Sequence, residues 1–263
     1  MWASISMELK IIIIGVILGI LALVMKKFKG KFTGTKNERV YSEIYEWVNT
    51  FFSAVVLAAL IMNFIVQAFK IPSGSMRPTL IEGDHLFVNK FIYGVKLPFT
   101  AARILSIAKV KRGDIIIFKC PSAALSSWER EKGIHKDFIK RCIGLPGDIV
   151  EIKNKNVFIN GKQIVEPYAD YQTDIVYPEV KQLLPNNDMY QKAWEETRFT
   201  ELPVPAVRDN FGPIKVPEKC YFAMGDNRDG SYDSRFWGPL SDKLLKGQAL
   251  VLYWPFNRMK VIK

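Results

Sequence analysis

The sequence predicts a mostly β domain anchored by two N-terminal transmembrane helices. Two observations predict the helices: residues 11–25 are apolar throughout, and the segment from Trp47 to Phe69 carries no charge. A third observation predicts the domain, because after Lys70 short β-branched and aromatic runs alternate with turns rich in Gly, Pro, Asn and Asp. The 263 residues therefore divide into a membrane anchor, residues 1–70, and a larger domain, residues 71–263.

The two predicted spans differ in length. A helix needs about 20 residues to cross the hydrocarbon core of a bilayer, and the second span, about 47–69, meets that length. The first span, about 10–26, is shorter and is also typical of the core of a cleavable signal peptide. It runs directly into Lys26 and Lys27 with no Ala-x-Ala-like site after it. We therefore interpret it as an uncleaved span.

The loop between the spans, residues 26–46, predicts the orientation. Its charged residues are six basic ones and three glutamates: Lys26, Lys27, Lys29, Lys31, Lys36 and Arg39 against Glu38, Glu43 and Glu46. Short loops with an excess of Lys and Arg stay in the cytosol. We therefore expect a multi-pass protein of the cell (inner) membrane, with the larger domain on the outer or periplasmic face.

The formal net charge of +11 limits the classes of partner. Such a charge is often found in nucleic-acid-binding proteins, but here it is dispersed, no nucleic-acid-binding motif occurs, and the domain is expected outside the cell membrane. A basic surface that faces the anionic headgroups of the lipid bilayer fits better. A solvated basic surface without any partner remains the alternative.

The strands of the outer domain are predicted from apolar runs closed by turns. These runs are 84–93, 115–118, 138–143, 149–152, 157–159, 162–166, 220–224 and 249–254. Asn160-Gly161 between two of them favours the type I′ turn of a β-hairpin. Between Pro167 and Pro217 the pattern weakens and prolines accumulate. We interpret this part as a surface insertion, within about residues 153–217.

Cysteines and histidines give no metal site. Cys120, Cys142 and Cys220 are isolated and odd in number, so at least one thiol stays unpaired. Buried core cysteines are the simplest interpretation, and their redox state stays open. The two histidines, His85 and His135, have no zinc-binding spacing. No cofactor or metal is expected.

Ser75 is a candidate nucleophile, because it lies in the polar turn Ser73-Gly74-Ser75 just where the chain leaves the second span. A hydrolytic serine needs a base. His85 and His135 each adjoin a charged residue, as solvated turn histidines do. A lysine is the other choice, and it must be buried so that its pKa falls and it becomes neutral.

Lys140 is the candidate lysine, because it lies inside the apolar run Phe138–Ile143. Period-two alternation places Phe138, Lys140 and Cys142 on one face of this strand and Ile139, Arg141 and Ile143 on the other. On this pattern alone, a lysine on an edge strand that reaches out to solvent remains the alternative.

The segment from Met224 to Gly238 is a polar loop between apolar residues. It is typical of a tight network of Asx turns. A metal site formed by Asp226, Asn227 and Asp229 is an alternative, although the ligand spacing and closing Glu of an EF-hand are missing.

Four motifs in order resemble the signature motifs of bacterial type I signal peptidase, the leader peptidase family. They are Ser73-Gly74-Ser75-Met76-x-Pro78-Thr79; Gly113-Asp114 before an apolar run; Lys140-Arg141-x-x-Gly144-x-Pro146-Gly147-Asp148; and Gly225-Asp226-Asn227-x-Asp229-x-Ser231-x-Asp233-Ser234-Arg235. Each alone is modest evidence, but all four behind two membrane spans are specific. The resemblance implies a coiled β-sheet core with a β insertion.

The resemblance also implies roles for individual residues. Ser75 would be the nucleophile and Lys140 the general base. The Ser73 hydroxyl and the Ser75 backbone N–H would bind the oxyanion. Ser231 would hydrogen-bond and orient Lys140. The remaining implied residues brace the site or line shallow substrate pockets: Asp233, Arg235 and Arg141 for the first role, and Ile71, Met76, Leu80, Phe138 and Ile139 for the second.

The implied substrates are the signal peptides of exported preproteins, cut after a small-x-small (Ala-x-Ala) site. Functional proximity to the secretion translocon is implied as well. Two rivals share features with this family. A self-cleaving repressor-type protease uses Ser-Lys chemistry, but the two spans and the absence of a DNA-binding motif argue against it. A membrane-anchored binding protein without activity is the non-enzymatic alternative.

Overall fold

The computed structural model describes residues 7–64, 66–96, 103–104, 107–178, 186–202 and 205–262. Its contacts divide the chain into Met1–Gln67 and Ala68–Lys263. The boundary predicted after residue 70 lies three residues later. The parts of the predicted anchor and insertion at residues 1–6, 65, 179–185 and 203–204 lie outside the described residues.

The first unit is a pair of helices, α1 (Met7–Phe32) and α2 (Glu38–Phe64). They pack closely at Gly19, where an added methyl group would lie only 2.9 Å from the Phe52 ring. Both helices are long and apolar enough to cross a membrane, judged by length and composition. The segments that meet these criteria are Lys10–Phe32 and Glu38–Ile61.

The end of the second span differs from the prediction. The sequence places it at Phe69, but α2 ends at Phe64 and a strand, β1 (Val66–Lys70), follows. A run without charge satisfies the hydropathy criterion equally well as helix or as strand, so the criterion alone does not locate this boundary. The first span also continues past the predicted Lys26, to Phe32.

The second unit is mostly β, as predicted. After β1, its described strands are β2 (His85–Asn89), β3 (Val95–Lys96), β4 (Arg103–Ile104), β5 (Ile115–Lys119), β6 (Asp137–Gly144), β7 (Ile149–Lys153), β8 (Asn156–Ile159), β9 (Lys162–Gln163), β10 (Phe211–Lys215), β11 (Cys220–Met224), β12 (Leu240–Ser241), β13 (Leu245–Trp254) and β14 (Lys260–Val261). Its described helices are short: α3 (Ser127–Glu131), α4 (Asn187–Glu195), α5 (Pro205–Arg208) and α6 (Ser234–Trp237). The apolar runs identified in the sequence therefore form strands.

A curled sheet of eight strands, counted over the described residues, forms the body of this unit. Its order is β1-β2-β13-β5-β6-β11-β12, with β14 added to β13. The long strand β13 pairs with β5 through its first half and with β2 through its second half. Both pairings contain register shifts, and such bulges bend a sheet. The order places β6 centrally, between β5 and β11.

A smaller antiparallel sheet has the order β10-β7-β8-β9. Its β8–β9 hairpin turns at Asn160 and Gly161, whose φ angles of 52° and 78° are both positive. A type I′ turn requires positive φ at both central residues, so the predicted hairpin is confirmed. The second strand of the hairpin ends at Gln163, three residues before the predicted end at Glu166.

The segment interpreted as a surface insertion is an integral part of the fold. β10, near its end, pairs with β7, and α4 buries Trp194 completely. Trp194 shares a hydrophobic cluster with Phe211 of β10 and with Phe222 of β11, which belongs to the large sheet. The sequence signal was weak because a nine-residue helix and a five-residue strand contribute few periodic positions.

Replacement of Trp194 by Ala tests this correction. The indole ring is fully buried and its N–H donates to the Ser234 carbonyl at 2.7 Å. We expect Trp194→Ala to lower the free energy of unfolding by about 3–5 kcal/mol, measured by denaturant unfolding of the full chain in detergent. Trp128→Ala, at a side chain that is 60% exposed, is the matched control. Equal effects of the two substitutions would mean that α4 is a loose surface insertion after all.

Candidate active site

Ser75 lies in a single 3₁₀ turn, Gly74–Met76, between β1 and β2. Just before the turn, the Ile71 N–H donates to the Asp84 carbonyl at 2.8 Å, and the Ile71 carbonyl accepts from the Gly83 N–H at 3.0 Å. Just after Ser75, the Met76 side chain is completely buried. The turn is therefore fixed on both sides of the serine.

Lys140 lies in β6 and is paired in register with Ile116 of β5. Its side chain is only 4% exposed. The Nζ atom lies 2.6 Å from Ser75 Oγ, which is hydrogen-bond distance. The sheet thus holds Lys140 inside the protein, and the alternative of an edge-strand lysine that reaches solvent does not apply.

The pKa of Lys140 is lowered from its ordinary value to about 8. The largest cause is burial, because an apolar environment disfavours the charged ammonium. Asp233 raises the pKa and Arg235 lowers it. These two residues form a buried ion pair with 2.8 Å between Arg235 Nε and Asp233 Oδ1. Because they act on Lys140 in opposite directions, the effect of burial dominates.

The Asp233 carboxylate is itself stabilised in its charged form. Burial alone would raise its pKa, but the adjacent guanidinium of Arg235, with the Ser231 hydroxyl and a hydrogen bond from Gly225, outweighs that effect, and the pKa of Asp233 is lowered. The Gly225 N–H donates to Asp233 Oδ2 at 3.1 Å. The neighbour of the candidate base is therefore a permanent ion pair and does not compete for the lysine proton.

Asp226 connects the 3₁₀ turn that contains Ser75, called the serine turn below, to β6, the strand that contains Lys140 and is called the lysine strand. It accepts two hydrogen bonds from Arg141, the neighbour of Lys140, at 2.8 and 2.7 Å. It also accepts one from the Thr79 hydroxyl, just beyond the serine turn, at 2.5 Å. The arginine continues to the Gly113 carbonyl at 2.8 Å. One buried carboxylate thus joins three of the four motifs, and its arginine partner reaches the fourth.

The loop that contains Asp226 also contacts the serine turn directly. The Asn227 N–H donates to the Ser75 carbonyl at 3.2 Å, and the Asn227 side-chain amide donates to the Gly74 carbonyl at 3.2 Å. Gly225 passes so close that an added Cβ would lie 2.4 Å from the Ser75 carbonyl oxygen and 2.3 Å from Ser231 Oγ. Only glycine permits this approach.

Residues 166–173 form a strap over the same loop, and the sequence reasoning missed it. Glu166 receives two hydrogen bonds from Arg228, at 2.7 and 2.6 Å. Asp170 forms a parallel β-bridge with Asn227. The Tyr168 ring lies 3.9 Å from the guanidinium carbon of Arg141. The first two pairs are about 60 residues apart in sequence and the third is 27 apart, so no local pattern reveals them.

A cavity of about 780 Å³ opens beside Ser75 and Lys140. Its lining residues come from both sides of the pair: Phe69, Pro72, Ser73, Gly74, Ser75, Arg77, Glu82, Lys136, Asp137, Phe138, Ile139, Lys140, Asn227, Gly230 and Tyr232. The exposed surface of this lining is more apolar than polar. A cavity of this size and character suits a short peptide segment.

Three of the five predicted pocket residues lie elsewhere. Phe138 and Ile139 line the cavity. Ile71, Met76 and Leu80 are instead almost completely buried in one hydrophobic cluster with Ile139. The backbone hydrogen bonds that fix the serine turn direct these three side chains into the core, where they pack against Ile139.

The two other predicted serines differ in their placement. Ser73 is exposed and lines the cavity beside Ser75. Ser231 is not hydrogen-bonded to Lys140 as predicted. Its buried hydroxyl instead lies beside the Asp233 carboxylate, whose pKa it helps to lower, and packs against Gly225.

The polar loop is a network of ion pairs. Asp226 pairs with Arg141, and Asp229 pairs with Lys155 and Arg208. Within the part of the chain that the structure describes, no three His, Cys, Asp or Glu side chains group as metal ligands. The three cysteines are free thiols, with Cys120 and Cys142 buried and Cys220 partly exposed. Burial raises the pKa of Cys120 to about 11.

Comparisons with known proteins identify relatives of this arrangement. The family model described as "Signal peptidase, peptidase S26" matches residues 44–254. A signal peptidase I from Pseudomonas fluorescens is 32% identical over 84% of this chain and 80% of its own length. Signal peptidase I P from Bacillus subtilis subsp. natto is 35% identical over 84% of this chain and 95% of its own length.

The solved structures that match include a signal peptidase I from Enterococcus faecalis V583. It is 26% identical, covers 54% of this chain and 98% of its own, and has a TM-score of 0.33. That score is too low to bear on the fold.

The reactivity of Ser75 should follow the protonation of Lys140. Because the pKa of Lys140 is about 8, only about a tenth of the side chain is neutral at pH 7 and most of it is neutral at pH 9. We expect acetylation of Ser75 by p-nitrophenyl acetate to accelerate through pH 8 and then to level off. Peptide mass mapping identifies the acetylated serine, with Ser75→Ala as the background.

Lysine variants complete this test. Lys140→Ala and Lys140→Arg should both lose the pH-dependent reaction, by about 10²-fold or more, since neither side chain can accept the proton. Lys153→Ala, at an exposed strand lysine, is the control and should react as the unsubstituted protein does. An undiminished rate in Lys140→Ala would show that another group is the base.

Proposed function

The chain belongs to the signal peptidase, peptidase S26 family, and we propose that it removes N-terminal signal peptides from exported preproteins by cutting after an Ala-x-Ala site. It is a serine endopeptidase. We propose Ser75 as its nucleophile and Lys140 as its general base. The observation that carries this assignment is the 2.6 Å separation of Ser75 Oγ from a lysine that is buried in the centre of a sheet.

The proposed reaction begins when neutral Lys140 accepts the proton of the Ser75 hydroxyl. The Ser75 oxygen attacks the carbonyl carbon of the scissile peptide bond and forms a tetrahedral oxyanion. The lysine ammonium then gives its proton to the departing amine, and the acyl-enzyme remains. A water molecule, deprotonated in turn by Lys140, releases the acyl group and restores the free serine.

The oxyanion is proposed to accept hydrogen bonds from the Ser75 backbone N–H and from the Ser73 hydroxyl. Each such donor contributes about 3 kcal/mol to transition-state stabilisation. The N–H belongs to the first turn of a 3₁₀ helix, where backbone N–H groups have no partner within the helix. The Ser73 side chain lines the same cavity. We propose that Asp233, Arg235 and Arg141 brace the site through their buried ion pairs, Asp233 with Arg235 and Arg141 with Asp226.

Substrate selection is proposed to depend on Phe138 and Ile139, the apolar residues that line the cavity next to Lys140. β1 is an edge strand of the large sheet, and its Phe69 lines the cavity too. An extended peptide can add to such an edge through backbone hydrogen bonds, so that alternate side chains enter the cavity. Shallow apolar walls at alternate positions would admit alanine and exclude larger side chains.

The proposed setting is the cell membrane, with both N-terminal helices spanning it and the catalytic domain on the outer or periplasmic face. The length and apolar character of the two helices support anchoring, and the basic residues of their connecting loop support the orientation. Anchored enzyme and anchored preprotein would then meet in two dimensions, close to the secretion translocon. This raises their effective concentration.

Cleavage of a preprotein tests the proposal directly. Detergent-solubilised enzyme should cut a purified preprotein after the final residue of its Ala-x-Ala site, as shown by sequencing the N-terminus of the product. Ser75→Ala should abolish the cut, and Ser127→Ala, at an exposed serine of α3, should not. A preprotein with Leu in place of the final Ala should resist.

Two results would contradict the proposal. If the unsubstituted enzyme leaves the preprotein intact, the substrate class is wrong. If Ser75→Ala cuts as fast as the unsubstituted enzyme does, the nucleophile is wrong.

A further inference from the structure

The peptide group between Gly74 and Ser75 is held by its carbonyl end. The Gly74 carbonyl accepts two hydrogen bonds, one from the Arg77 N–H at 3.1 Å and one from the Asn227 side-chain amide at 3.2 Å. A trans peptide group is rigid and planar, and its C=O and N–H bonds point in opposite directions. Two donors that fix the Gly74 carbonyl therefore also fix the direction of the Ser75 N–H.

Asn227 also holds the next peptide group, the one between Ser75 and Met76. The Asn227 backbone N–H donates to the Ser75 carbonyl at 3.2 Å. Asn227 thus contacts the carbonyls on both sides of the nucleophile, one through its side chain and one through its backbone. Within the described part of the chain, no other residue of the motif 225–235 donates hydrogen bonds to both carbonyls.

Asn227 is itself rigidly placed. It is 5% exposed, and its side-chain oxygen accepts from the Gly230 N–H at 2.9 Å and from the Gln172 side chain at 3.3 Å. Because the oxygen has these two donors, the amide nitrogen is directed to Gly74. An added Cβ on Gly230 would lie 2.6 Å from that nitrogen. The β-bridge to Asp170 in the strap holds the backbone of Asn227.

We propose that Asn227 is a positioning residue that orients the Ser75 backbone N–H as an oxyanion donor, through its hydrogen bond to the Gly74 carbonyl. The inference rests on the proposed function, because that proposal assigns the N–H to the oxyanion. Asn227 acts on the transition state, in which the oxyanion develops, and contributes little to the binding of uncharged substrate. The loss of its side chain therefore lowers kcat and leaves KM unchanged.

The test compares Asn227→Ala with Asn227→Asp. Asn227→Ala removes the donor to Gly74 and also the acceptor for Gly230. Asn227→Asp removes the donor but keeps an acceptor oxygen, so it reports on the donor even where the alanine variant fails to fold. Each variant is measured on its own high-pH plateau, where Lys140 is neutral and a changed lysine pKa has no effect. The matched control is Gln163→Ala, at an exposed side-chain amide of β9 in the smaller sheet, which donates to Asn156.

Two reactions serve as readouts, preprotein cleavage and acetylation of Ser75 by p-nitrophenyl acetate. We expect both Asn227 variants to lose about tenfold or more in kcat and in acetylation rate, with KM within about twofold. The loss stays below the ~10²–10³-fold cost of deleting an oxyanion donor outright, since Arg77 still holds the Gly74 carbonyl. Gln163→Ala should stay within about twofold in every quantity.

The outcomes separate this inference from the proposed function. A raised KM with unchanged kcat would overturn the inference and make Asn227 a substrate contact, as its place in the cavity wall permits. Unchanged acetylation and cleavage in Asn227→Asp would overturn it as well. If the unsubstituted enzyme acetylates Ser75 but cuts no preprotein, the proposed substrate class fails, while slower acetylation in the Asn227 variants still supports the orienting role.

Discussion

A buried amine next to Ser75 is the constraint on which the rest of the proposed site depends. A lysine has an ordinary pKa near 10.5, so it becomes a base near neutral pH only where water is largely excluded. The sheet provides that environment, because β6 lies between two other strands and Lys140 is almost completely buried. Burial of this amine also requires that nearby carboxylates be paired with other cations. An unpaired carboxylate would raise the pKa of Lys140 and favour its charged ammonium form.

The charges around Lys140 satisfy this requirement by pairing with one another. Asp233 pairs with Arg235, and Asp226 pairs with Arg141. A buried ion pair adds little net stability, but removal of one partner costs about 3–5 kcal/mol because the other charge is left buried alone. These pairs therefore hold the serine turn, the lysine strand and the polar loop in fixed register without neutralising the effect of burial on Lys140. The strap at residues 166–173 adds Glu166 as the partner of Arg228, outside the four motifs.

Much of this arrangement is visible in the sequence. Alternation in the run Phe138–Ile143 indicates which face of the strand carries Lys140, and the Asn160-Gly161 pair locates a hairpin. The end of the second span was misplaced because an apolar strand directly follows an apolar helix. The integral role of α4 was missed because its contribution is one buried tryptophan, Trp194, and not a long periodic pattern. Local patterns describe a residue and its neighbours, and these errors arose where distant segments meet.

In the site, too, features within one short segment are visible in the sequence and contacts between distant segments are not. The motifs contain Ser75, Lys140 and the pair Asp233 and Arg235, because each motif is local, whereas the partner of Arg141, Asp226, was not predicted. Contacts of the strap, and the burial of Ile71, Met76 and Leu80 beneath Ile139, depend on how strands pair over long distances. The place of the Ser231 hydroxyl, beside Asp233 and against Gly225, also depends on tertiary packing.

Direct titration of Lys140 is the sharpest test of the account. The NMR signals of lysine labelled at the ε-carbon, recorded on the full chain in detergent over a pH series, report the ionisation of each amine. We predict one signal with a midpoint near 8, absent from the spectrum of Lys140→Arg. A Lys140 signal that titrates near 10.5, with the bulk of the lysines, would contradict the claim that burial makes this residue a base.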